Sequence, residues 1–121
     1  MTPRYAVYFT PAPDTPWWHA GSHSLGRCAN TDAVLPQPAL TGWSPAQQLL
    51  ATAQPRRYGW HATLKAPFHL SLAVSETDVC NAIASIAQAH KSVPLHGLVM
   101  QFVGDCLALT LDNPIDAVAA V

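Results

Sequence analysis

The chain has 121 residues and a mass of 13.0 kDa, which bounds it at one domain by length, since domains cluster at roughly 100 to 150 residues. Half of the residues are hydrophobic, only 11% are charged and the mean hydropathy is +0.13, which excludes disorder of the low-hydrophobicity, high-charge kind. Six Lys+Arg against seven Asp+Glu give a formal charge of -1 with no basic run, which excludes duplex DNA as a partner, because that binding needs an extended cationic face.

Tyr5-Ala6-Val7-Tyr8-Phe9 is rich in β-formers and is closed by Thr10-Pro11-Ala12-Pro13, so it reads as a first strand. Asp14-Thr15-Pro16 offers a cap followed by proline at the first helical position, which predicts a short helix through Trp17 and Trp18 to Leu25, stopped by Gly26. Arg27 to Gly42 reads as loop, and Ser44-Pro45-Ala46-Gln47 as a capping box that opens a helix ending near Ala53, before Pro55. Trp60 to Leu64 and Phe68 to Val74 read as two strands around a turn at Lys65-Ala66-Pro67. Ser75-Glu76-Thr77-Asp78 starts a helix whose Val79, Ile83, Ile86 and His90 share one face. Leu98 to Phe102, Gly104-Asp105 and Cys106 to Leu111 form a hairpin pattern. Asn113-Pro114 opens a last helix without any end signal, so the sequence reads as cut, not finished. The elements together predict an α+β fold, with an antiparallel sheet and helices packed on one side.

No apolar run approaches the roughly 20 residues of a membrane span, and Met1-Thr2-Pro3-Arg4 leads straight into strand-like sequence, so no membrane partner is expected and the cytoplasm is the expected location. Cys28, Cys80 and Cys106 are odd in number, widely spaced and without a C-x-x-C, which predicts reduced core residues instead of a disulfide framework or a zinc site.

The chemistry concentrates in the segment Arg56-Arg57-Tyr58-Gly59-Trp60-His61-Ala62-Thr63-Leu64-Lys65-Ala66-Pro67-Phe68. Residues two apart on a strand share a face, so His61, Thr63 and Lys65 are expected to project together while Trp60, Ala62 and Leu64 face the core. An imidazole beside a hydroxyl and an ammonium suits proton transfer next to a phosphate. A half-buried strand with its polar side in water is the plainer alternative from spacing alone.

His61-Ala62-Thr63-Leu64 resembles the H-x-[ST]-hydrophobic motif of the 2H phosphoesterase superfamily, and the segment around it is similar to a bacterial branch linked to phosphonate metabolism. Arg4-Tyr5-Ala6-Val7-Tyr8-Phe9 and Leu25-Gly26-Arg27 extend the likeness. The resemblance implies one lobe, the N-terminal one, of a bilobal 2H-like fold spanning residues 1–121. It implies hydrolysis of a cyclic phosphodiester or related small phosphate ester without a metal or other cofactor, on a phosphorylated or cyclic nucleotide-like substrate. His61 inherits the role of general acid or base and Thr63 that of a hydroxyl on a non-bridging oxygen. Lys65, Arg57 and Tyr58 are the candidate substrate contacts. A second H-x-[ST] motif belongs to the other lobe of such proteins. His69-Leu70-Ser71 fits it formally but reads as a surface or edge-strand sequence.

His19 and His23 have the i, i+4 spacing of metal ligands, but no evident third ligand accompanies them. Arg56 joins Arg57 as a candidate phosphate contact, and Trp60 reads as core more than as a stacking platform. The alternative to an enzyme is a half-domain that binds a phosphate ligand or pairs with a second copy as a homodimer, placing two His61-Ala62-Thr63 motifs in one assembly.

Overall fold

A computed structural model describes residues 2–112, so the helix expected from Asn113 onward lies outside the described residues. The chain has the expected α+β composition, but its antiparallel pairing forms two separate two-stranded sheets. It divides after His69 into two compact units, each with one of these sheets.

In the first unit, β1 (Tyr5–Phe9) leads to α1 (Pro16–Leu25). The Thr15 hydroxyl accepts from the Trp18 N–H, Pro16 occupies the first turn, and the Gly26 N–H closes the helix onto the Ser22 and His23 carbonyls. The loop that follows is held by polar ties. Gln37 donates to the Ser24 carbonyl and the Thr52 hydroxyl, both at 2.9 Å, and the buried Gln48 donates to the Pro38 carbonyl at 2.8 Å.

The Ser44–Gln47 capping box is formed, but the helix it opens ends earlier than its sequence suggests. α2 (Pro45–Ala51) stops at Thr52, and a new helix, α3 (Ala53–Tyr58), contains Pro55. Pro55 sits in the first turn of α3, where a missing N–H breaks no intrahelical bond, so it continues a helix instead of ending one.

The reading of two strands around Lys65-Ala66-Pro67 is corrected. One strand, β2 (Ala62–Phe68), runs through all three residues, and residues 69–74 are not strand. β2 pairs antiparallel with β1, and the register Tyr5↔Phe68, Val7↔Lys65, Tyr8↔Thr63, Phe9↔Ala62 leaves an extra β2 residue at Leu64 and another in 66–67. Such bulges tolerate a proline that a regular ladder would reject. They also turn Leu64 outward, and it is exposed instead of facing the core.

The enclosed part of this unit is small. Gly21, Ser22, Gly26, Cys28, Gln48 and Gly59 are buried. α1 passes so close to Trp60 that a Cβ on Gly21 would overlap the indole, and the Trp17 and Trp60 rings stack at 6.0 Å. Trp60 is thus half-buried against α1.

The second unit contains α4 (Glu76–Ala89), capped by a reciprocal Ser75–Asp78 box, and the hairpin β3 (Leu98–Val103) to β4 (Cys106–Leu111) around Gly104-Asp105. Ile83 and Ile86 of the expected apolar face of α4 are exposed, as are Met100, Phe102, Val103 and Leu107 of the hairpin. Cys28 is buried as expected, whereas Cys80 and Cys106 are exposed, because among the described residues no second layer covers the elements that carry them. No helix among the described residues is long and apolar enough to cross a membrane.

Candidate functional site

α3 ends at Gly59, which adopts φ 80° and ψ -178°, a conformation open to glycine and strained for any other residue. That turn aims the Gly59 carbonyl at the His61 ring, and Nδ1 lies 2.8 Å from it. A carbonyl only accepts, so Nδ1 carries the hydrogen, and in the neutral ring Nε2 is the acceptor. The imidazole is thereby presented as a proton acceptor on one defined nitrogen.

Aromatic rings flank it. The Tyr8 ring centroid lies 4.0 Å from that of His61 at 32°, and that of Tyr58 lies 6.3 Å away. Tyr8 is the direct cross-strand partner of Thr63, and directly paired residues project to the same side of an antiparallel pair. Tyr8, His61 and Thr63 therefore form one cluster, built by β1 and the start of β2. Tyr8 is legible in the sequence as part of the first strand but has no role there at the site, since the pairing that brings it in spans most of the first unit.

Lys65 is not joined to His61 and Thr63 by strand alternation, because the Leu64 bulge intervenes. Its ammonium lies 6.0 Å from the Phe68 ring centroid. Thr63 and Lys65 are exposed and His61 is half-buried. His69 lies just beyond β2 with Nδ1 at 3.1 Å from the Pro3 carbonyl, and the chain passes to the second unit immediately after it. His69 and Ser71 therefore do not sit on one strand as the motif they imitate would.

Arg27, Ala53, Arg56 and Arg57 line a shallow concavity. Arg27 pairs with Asp32 at 2.7 Å and donates through Nη1 to the Arg56 and Arg57 carbonyls at 3.1 and 3.3 Å, closing the end of α3. On α1, His23 lies with Nδ1 at 3.0 Å from the Pro36 carbonyl while His19 stands 4.0 Å from Asp14. Among the described residues no group of three His, Cys, Asp or Glu side chains could hold a metal ion.

Residues 63–121 match a family model described as a protein of unknown function, DUF1045. The chain is 36% identical over 118 residues to a protein of Janthinobacterium sp. (strain Marseille) named ribose 1,5-bisphosphate phosphokinase PhnN, covering 98% of this chain and 26% of the relative. It is 44% identical over 87 residues to a protein of the same name from Laribacter hongkongensis (strain HLHK9), covering 70% of this chain and 20% of that one. No solved structure gives a significant match. Nearly the whole chain is thus similar to a bacterial protein of which it spans about a quarter of the length.

Proposed function

We propose that the chain supplies one half of a 2H-type phosphoesterase site, acting without a metal on a cyclic phosphodiester or related small ester of a phosphorylated ribose, in phosphonate metabolism. The observation that carries this reading is the His61 ring, held by the Gly59 carbonyl through Nδ1 and lying against Tyr8, the cross-strand partner of Thr63. In the reaction, water oxygen bonds to phosphorus as the bond to the leaving ribose oxygen breaks. One histidine takes the proton of the water and another delivers a proton to the leaving oxygen, while hydroxyls hold the non-bridging oxygens. Nε2 of His61 fills either proton role, according to substrate orientation. Thr63 donates to a non-bridging oxygen, and a second motif comes from another lobe or another copy. The relatives' name concerns a phosphorylated ribose, which supports the substrate class. That name also denotes a phosphokinase, an activity of proteins of which this chain matches about a quarter, and the hydrolytic reading rests on the His61 and Thr63 motif of this chain alone.

The test is phosphorus NMR of ribose cyclic phosphates and cyclic nucleotides incubated in EDTA with the chain assembled with the lobe or copy that carries the second motif. Turnover is expected, with a loss on the order of a hundredfold in His61→Ala. Thr63→Val should lower turnover while leaving the melting temperature nearly unchanged, as the side chain is exposed. Turnover equal to that of His61→Ala, or rescued from EDTA by a divalent metal, would overturn the reading. ATP consumption with ribose 1,5-bisphosphate would favour a kinase.

A second reading, a half-domain that pairs with another copy, is favoured by the exposed apolar side chains of the hairpin. Sedimentation over a range of concentrations distinguishes it, since a monomer at high micromolar concentration would refute pairing.

A further inference from the structure

We infer that Arg27, Arg56 and Arg57 form a second anion site, which takes a phosphomonoester group of the substrate apart from the bond that His61 attends. The inference rests on the phosphoester reading and adds that the substrate carries two phosphoryl groups on one small scaffold.

Three of the six Lys and Arg residues in the whole chain line one concavity. Side chains of one sign repel, and their gathering is costly unless something of opposite sign meets them. Among the described residues Asp32 is the acid paired there, and it engages Arg27 alone. The end of α3 accounts for part of the charge, since carbonyls at a helix C-terminus favour a cation. Arg27 already serves that purpose through Nη1, and its Nη2 has no acceptor among the described residues. Arg56 spends Nη2 on the Leu49 carbonyl and keeps its other donors. Arg57 is exposed, and its guanidinium has no partner among the described residues. Arginine donors in excess of what the fold uses, held on a concave surface, match the several acceptor oxygens of a phosphate dianion.

The site is within reach of the proposed chemistry. Arg57 precedes His61 by four residues, and a chain extends at most about 3.6 Å per residue, so their Cα atoms lie within about 14 Å. A sugar carrying a phosphomonoester at one end and the reacting ester at the other would engage both. Arg57 would then discriminate such a substrate from a nucleoside cyclic phosphate that lacks the second group.

Calorimetric titration of ribose 5-phosphate into the 121-residue chain tests this. Saturable binding is expected for the wild type and for His61→Ala, with none for ribose. Arg57→Gln should weaken it by about tenfold to a hundredfold, as loss of a charged hydrogen bond does, and Arg56→Gln combined with Arg57→Gln should weaken it further. Circular dichroism checks that the variants fold. Absence of saturable binding to the wild type, or affinity unchanged in the double variant, would overturn the inference. Binding lost in His61→Ala yet kept in Arg57→Gln would also overturn it, placing the phosphate at His61 and sparing the phosphoester reading. Arginine-dependent binding without turnover of any cyclic phosphate would uphold the anion site while the phosphoester reading fails.

Discussion

Gly21 is the position at which a single methyl group should tell most about how the site is supported. In an exposed helix, alanine is better than glycine by about 1 kcal/mol, so propensity alone predicts that Gly21→Ala stabilises α1. The structure predicts the opposite sign, because the new Cβ would overlap Cγ, Cδ1 and Cδ2 of the Trp60 indole. Neither a helix backbone nor a planar ring yields easily, so the ring must leave α1. A buried tryptophan hides about 150–250 Å², and half of that at about 25 cal/mol per Å² is roughly 2.5 kcal/mol. Loss of the Trp17–Trp60 stack adds about 0.5–1.5 kcal/mol. Set against the propensity gain, the net destabilisation is about 2–3 kcal/mol. In a domain of this size that lowers Tm by about ten degrees. Thermal melting by circular dichroism reads the shift, and a red shift of tryptophan emission reads the ejected ring. In a Trp60→Leu background the penalty should shrink, as expected for residues in contact. A Gly21→Ala protein melting at or above the wild-type temperature would refute the reasoning.

Gly59→Ala should strain the φ 80° turn by about 1–3 kcal/mol and drive its methyl group into Ala29, moving the carbonyl away from His61. Nitrogen NMR of the imidazole would register this as loss of the Nδ1–H tautomer, and an unchanged tautomer would refute the role given to Gly59. The Ser75 backbone N–H, with its hydroxyl, holds the Asp78 carboxyl below the usual carboxylate range. Its support of α4 is therefore complete above that range and disappears as pH falls through the lowered value. Helical circular dichroism should persist through about pH 4 and then decline. Ser75→Ala should cost about 1 kcal/mol of helix stability and move the decline to higher pH, whereas an unmoved transition would show that Asp78 does not govern it.

The elements with chemical punctuation at their ends were legible from sequence. Thr15-Pro16 and Gly26 bound α1, Ser75 with Asp78 opens α4, and Gly104-Asp105 turns the hairpin, each as its residues predict. What escaped depends on partners remote in sequence. Pro67 signals a turn when read locally, yet pairing with β1 absorbs it in a bulge, and the companion bulge at Leu64 undoes the alternation that seemed to place Lys65 with His61. The same pairing brings Tyr8 to the site, which no local pattern announces. Ala62 and Thr63 pair in regular register with Phe9 and Tyr8, so the expected alternation holds as far as Thr63. Cys80 and Cys106 show the limit of composition, since a residue type that prefers burial is buried only where its element meets a second layer.

The two sheets close chain segments of very different length, and this orders their assembly in time. β3 and β4 need only a two-residue turn, an event on the scale of about 1–10 μs. β1 and β2 must bring Phe9 to Ala62 across about fifty residues, and the entropy of that closure has to be met before any ladder bond forms. Until then Tyr8 has no His61 to lie against, so the imidazole acquires its aromatic wall late, after α1 has formed. A nascent chain emerging N-terminus first therefore carries β1 as an unpaired strand through most of the synthesis of this unit, and the surroundings of His61 mature only when that wait ends.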